Sequence, residues 1–116
     1  MALENAGKHV MLDALAGVAI YASLHTALPN SSGSNEVSGG SPAYARKSIT
    51  WNAASGGNLD NNANPVFDVP AGTTITHFGL WSASSAGTFY GSGDITDETF
   101  GGQGTYTLSD ADIPLT

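Results

Sequence analysis

The sequence predicts a mainly β fold: a single-domain β-sandwich or small barrel of about seven short strands, with one short N-terminal helix. Three observations carry this reading. Apolar residues recur with period two in several short segments. Clusters of Gly, Ser, Thr, Asn and Pro separate those segments, with 15 Gly in 116 residues. A helical period is confined to the first residues of the chain. The length fits one domain, with the helix in residues 1–16, the sandwich in 17–109 and a tail in 110–116.

The helix is expected over Ala2 to Ala16, where Leu3, Val10, Met11, Ala14 and Leu15 fall on one stripe. Glu4 suits the positive end of the helix dipole, and Gly17 is a stop signal. Gly7 weakens the helix by about 1 kcal/mol relative to Ala. So short a helix is marginal in water, and its stripe is expected to pack on the sheet or on a neighbouring subunit. Val18 to Ala27 then alternates, with Val18, Ile20, Ala22, Leu24 and Thr26 as a core face and Ala19, Tyr21, Ser23, His25 and Ala27 as a half-polar one. A polar connection follows from Pro29 to Pro42, with Val37 its one large aliphatic residue. A loop this long in a small domain is usually functional. If ordered, it needs holding from outside its own backbone, as by a neighbouring subunit.

Tyr44 to Ala53 reads as the next strand, with Ile49, Trp51 and Ala53 inward and Arg46 and Lys47 as a solvated pair. Val66 to Val69 is a short edge strand between Pro65 and Pro70. The stretch Thr73 to Gly91 organises the rest. It reads as a hairpin turning at Ser84-Ser85-Ala86-Gly87, with apolar groups on both faces of its first strand. Such a strand is central, covered on both sides. Asp94-Ile95 and Thr99-Phe100 read as short strand pieces and Thr105 to Leu108 as a last alternating strand. The tail is placed to pair on an edge or dock on a partner.

Composition excludes several classes. Charged residues are 11%, against about 25% in an average soluble domain. Lys8, Arg46 and Lys47 face ten acidic residues, for a net charge of −7. No basic footprint exists for nucleic acid, and an anionic membrane surface is disfavoured. The chain has no cysteine, hence no disulfide, thiolate metal site or Cys nucleophile. Asp13 interrupts the apolar run Val10 to Ala22, and the only nearby cation, Lys8, lies close to Glu4, which argues against a secretory leader.

Tests for chemistry end the same way. Asp60, Asn62 and Asn64 have calcium-loop spacing, but Pro65 and Ala71 stand where the loop needs Gly and Glu. Asp94, Asp97 and Glu98 read as solvated turn acids, and His77 as a hydrogen-bonded core histidine. His9, His25 and His77 lack zinc-ligand spacing. No nucleophile elbow or phosphate loop is present. The expectation is a non-enzyme without catalytic, cofactor or metal residues and without a cofactor.

Two groups of segments carry a resemblance. The first is Ser23-Leu24-His25-Thr26-Ala27-Leu28-Pro29, then Asn35-Glu36-Val37-Ser38-Gly39-Gly40, then Tyr44-Ala45-Arg46. The second is Ile75-Thr76-His77-Phe78-Gly79-Leu80-Trp81 with Gly87-Thr88-Phe89-Tyr90-Gly91. In order and spacing these resemble small virion proteins of tailed phages, the minor tail or tail-fibre proteins of actinobacterial phages. The resemblance implies a β-rich, non-enzymatic virion component, assembled in the bacterial host cytoplasm with copies of itself and other virion proteins. A capsid decoration protein on the major capsid protein is the first alternative. A host-glycan module using exposed Trp51 or Trp81 is the second. Intersubunit contacts are expected at the helix and the long loop, through Leu3, Val10, Met11, Asn35, Glu36 and Val37.

Overall fold

The alternating stretch Thr73–Trp81 forms β5, the central strand of a four-stranded antiparallel sheet. The structure is a computed structural model that describes residues 3–115. The sheet runs β2 (Lys47–Ser48), β1 (Tyr21–His25), β5 and β6 (Phe89–Phe100). The molecule measures 47 × 25 × 23 Å. The β5–β6 connection closes where Ser82 N–H donates to Thr88 O and Thr88 N–H donates to Ser82 Oγ. Ala86 and Gly87 supply the left-handed residues of that turn.

β6 is one continuous twelve-residue strand rather than two short pieces, because β5 templates it along its length. The pairing is irregular twice. Three residues, Ile95 to Asp97, lie opposite the single Thr76, and Tyr90 is an extra residue between Gly91 and Phe89. Ile75, beside the first irregularity, belongs to the same core as Phe78 and Leu80 despite its opposite parity along the strand.

Two smaller antiparallel pairs complete the fold: β4 (Val66–Val69) with β7 (Gly104–Thr107), and β3 (Asn58–Leu59) with β8 (Ile113–Pro114). The tail therefore pairs on an edge within its own chain. One apolar core joins Ala22, Leu24, Phe78, Leu80 and Phe100 of the large sheet to Ile49, Phe67, Val69 and Leu108. The architecture is mainly β and layered, with no closed barrel.

β1 is buried more completely than its half-polar face implies. Ser23 and His25 are fully buried, whereas Val18 and Ile20, expected on the core face, stay 44% and 41% exposed. The strand is regular only from Tyr21, and its second face is roofed by the Pro29–Pro42 loop. The Tyr44–Ala53 segment pairs only at Lys47–Ser48, with a further bridge at Trp51.

The helix, α1 (Asn5–Ala16), ends at Gly17 as expected, though Gly17 is right-handed and its N–H donates to Ala14 O. Its inward face is rotated from the expected stripe. Leu12 is buried, and Leu15 packs against the core. The cause is a pair of polar anchors one turn apart: Asp13 Oδ1 accepts from Ala54 N at 2.8 Å, and His9 Nε2 accepts from Gly57 N at 3.0 Å. No described helix is long and apolar enough to cross a membrane.

Candidate functional site

Alternation along β1 puts Ser23 and His25 on one face, and the β1–β5 register sets them opposite Gly79 and His77. Their side chains hydrogen-bond at 2.7 Å in the space that Gly79 leaves. A Cβ on Gly79 would stand 2.5 Å from Ser23 Oγ and 2.6 Å from His25 Nε2. At the end of β5, Trp81 Nε1–H donates to Ser23 Oγ at 2.8 Å. On the other side of the imidazole, Nδ1 lies 2.8 Å from Ser34 O.

These partners fix every proton. A carbonyl only accepts, so His25 Nδ1 carries the hydrogen and Nε2 is the acceptor. The Ser23 hydroxyl therefore donates to His25 while accepting from the indole. The chain runs from Trp81 N–H through Ser23 O–H and neutral His25 to Ser34 O. Burial lowers the His25 pKa from its ordinary 6.5, more than Ser34 O and Glu36 raise it. The Ser23 O–H to Nε2 link thus requires the neutral imidazole, and burial favours it.

The long loop closes over this chain. Gly33 is left-handed, and a Cβ there would come within 2.4 Å of Trp81 and 3.0 Å of Phe89. Phe89 packs on both His25 and Trp81, with centroids 6.0 and 5.0 Å away in tilted arrangements. Arg46 lies over the Trp81 ring, its guanidinium carbon 3.5 Å from the centroid. Its Nε and Nη2 fork onto Glu36 at 3.0 Å each, and Nη1 donates to Ala83 O and Ala86 O at 3.0 and 2.9 Å. Tyr44 O–H donates to Glu36 Oε2 at 2.8 Å and accepts from Leu24 N at 3.0 Å. Burial, and then the Glu36 charge, raise the Tyr44 pKa above its ordinary 10, so it remains a donor.

The expected solvated pair is therefore corrected at Arg46, whose side chain is only 9% exposed. The loop also finds anchors within its own chain. Side chains of the same chain hold it, through His25, Arg46, Tyr44 and Asn30, whose Oδ1 accepts from Ser32 and Ser34. Gln103 clamps its far end by accepting from Ser41 N and donating to Pro42 O.

Chemically the cluster is closed. Ser23 has a histidine beside it, but the hydroxyl is buried and both its hydrogen-bonding roles are taken. The histidine's far nitrogen meets a carbonyl, where a catalytic triad has a carboxylate. Among the described residues no buried side-chain polar atom lacks a partner, and no group of three His, Cys, Asp or Glu is placed to hold a metal. The arrangement ties a loop and a hairpin turn to the face of a sheet.

The sequence model of one protein family, Podophage GP4 fiber I protein gp80, matches residues 8–113. The chain belongs to this family. No curated protein matches it. Membership of the gp80 family makes it a phage tail-fibre-like protein, and every residue of the buried cluster lies inside the matched span.

In this gp80-family chain the expected contact residues divide. Leu3, Val10 and Met11 are 40, 72 and 52% exposed on or beside the helix. Asn35 is exposed and left-handed. Glu36 and Val37 turn inward, one to Arg46 and the other to the core. Trp81 is sealed between Arg46, Phe89 and Gly33, so it offers no stacking surface. Trp51 is half-buried, its indole donating to Ala19 O at 2.9 Å. His77 is hydrogen-bonded as expected, between Thr76 Oγ1 and Asp94 Oδ1 at 2.7 Å each. Of the former calcium candidate, Asn62 donates to Trp51 O of the preceding segment, and Asn64 Oδ1 accepts from Asn61 within its own loop. Missing from the sequence-based candidates were Ser23, His25 and Arg46, together with Gly33 and Gly79. The available signal was Ser-x-His on one strand face with bare glycines facing it.

Proposed function

We propose that the chain is a non-enzymatic structural subunit of a phage tail fibre. It assembles with copies of itself and with other virion proteins in the bacterial host cytoplasm. The observation that carries this reading is the match of the fibre family to residues 8–113. The closed polar cluster supports it, since its side chains hold the scaffold and present no reactive group. Intersubunit contact is assigned to Leu3, Val10 and Met11, which stand exposed on or beside the helix, and to the loop at Asn35. Glu36 and Val37 support that loop from beneath. Trp81 supplies no sugar platform, and the fibre match favours the tail over the capsid exterior.

Immunogold labelling of intact particles with antibody to this chain tests the reading. Label confined to the tail is expected. Label distributed over the capsid shell would overturn it.

A further inference from the structure

β6 is the end strand of the large sheet: it pairs with β5 on one side, and no described strand pairs with its other side. At twelve residues it offers about 40 Å of edge. Proteins commonly blunt such an edge with Lys, Pro, short length or a bulge. β6 contains no Lys and no Pro. Its bulges flank a regular stretch, Gly91 to Asp94, which pairs in sequence with Leu80 to His77. Gly91 and Gly93 have no side chains to obstruct the backbone there, and even a Cβ on Gly91 would meet nothing within 4 Å.

A groove of about 490 Å³ continues from this stretch. It is lined by Asp94, Ile95 and Thr96 of β6 and by Tyr106, Ser109 and Asp110 across from them. Asp94 binds His77 through Oδ1 while its side chain stays 90% exposed. Asp97 and Glu98 are exposed just beyond. No cation lines the groove or lies on β6, and Arg46 is engaged elsewhere with Glu36. A second copy offering its own β6 would add Asp94, Asp97 and Glu98 to an edge that already carries the same acids, with no cation to meet them, which opposes self-pairing. A cationic strand meets the opposite condition: backbone pairing supplies the contact and the acids select for Lys or Arg.

We propose that the outer edge of β6, from Gly91 to Thr96, docks an extended, cationic segment of a partner protein, which adds to the sheet as a fifth strand. This deepens the assembly reading by naming the chemistry of one partner. Its failure would leave that reading standing, because particle labelling decides the latter independently.

The test titrates a blocked heptapeptide of alternating lysine and valine into the ¹⁵N-labelled full chain at low salt. Saturable shifts and slowed amide exchange are expected at Gly91 to Thr96. The Asp94→Lys/Asp110→Lys variant should bind at least tenfold more weakly. Both positions are exposed, and Asp110→Lys alone, which keeps the Asp94–His77 contact, should weaken binding in the same direction. No saturable shift, shifts centred elsewhere, equal binding of a glutamate–valine peptide, or a free chain already paired through β6 in a dimer would each overturn the proposal.

Discussion

Gly79→Ala isolates the packing of the buried cluster, because Gly79 is not left-handed and its backbone accepts alanine. The added methyl would stand 2.5 Å from Ser23 Oγ, 2.6 Å from His25 Nε2 and 2.9 Å from Phe89 Cε1. Ser23 cannot swing aside without releasing Trp81 or His25, and His25 is pinned by Ser34 O. Overpacking of this kind costs about 1–3 kcal/mol. A buried hydrogen bond broken in relieving it adds about 1–3 kcal/mol. Reduced freedom of the unfolded chain returns about 0.4–1 kcal/mol. The net expectation is a loss of about 2–4 kcal/mol, a large part of the roughly 5–15 kcal/mol of a typical domain. In urea, with a slope of about 1–3 kcal/mol/M, the midpoint should fall by roughly 1–2 M. Gly91→Ala is the control: its Cβ meets open space in the same hairpin, so the entropy term stands alone and the midpoint should rise slightly. If Gly79→Ala is as stable as the parent chain, the cluster is not close-packed and the reasoning fails.

Arg46→Lys keeps the charge but loses the fork to Glu36 and the flat contact with Trp81; a loss of about 2–4 kcal/mol in urea unfolding is expected. Neutral His25 makes stability pH-dependent. Its folded pKa lies below the unfolded 6.5, so its contribution is complete above that pH and is lost as pH falls through 6.5 toward the folded value; the urea midpoint should decline in that direction. Asp112 acts oppositely. A hydrogen bond with Asp60, then burial and Asp110, push its pKa up to about 7, so its contribution is present below pH 3.8 and lost as pH rises through 7. Asp112→Asn should therefore raise the midpoint at pH 8 and not at pH 4, by a small amount because these carboxylates are exposed. Val10→Glu should leave the isolated chain within about 0.5 kcal/mol of the parent, since Val10 is 72% exposed, and should reduce incorporation into particles on a virion immunoblot.

Much of the fold was legible where one periodicity dominated. Val66–Val69 reads directly as a strand because prolines bound it, and Thr73–Trp81 reads as central because both faces are apolar. The helix face was not legible. Its orientation follows from His9 and Asp13 accepting N–H groups of a loop some forty residues away, and no hydrophobic period encodes that. The continuity of β6 was hidden by its Gly and Asp content, which propensity disfavours and a neighbouring strand overrides. The cluster was half legible. Most of its residues, Gly33 and Ser34 apart, lay in the motifs that carry the resemblance, but Arg46 read as a surface cation because the aromatic face and carboxylate that bury it come from Trp81 and Glu36. Ser23 and His25 read as a half-polar face because nothing local reveals a roof supplied by residues 29–37.

The central claim is that this chain's own side chains hold the long loop against the sheet. Amide and indole hydrogen exchange of the isolated, full-length chain tests it most directly. Thr26 N–H bonds Asn35 O, Val37 N–H bonds Leu24 O, and the Trp81 indole bonds buried Ser23. All three should be protected to the same extent as the amides between β1 and β5. Exchange of Thr26 and Val37 at the rate of a free peptide in the isolated chain, with protection only in the assembled particle, would contradict it.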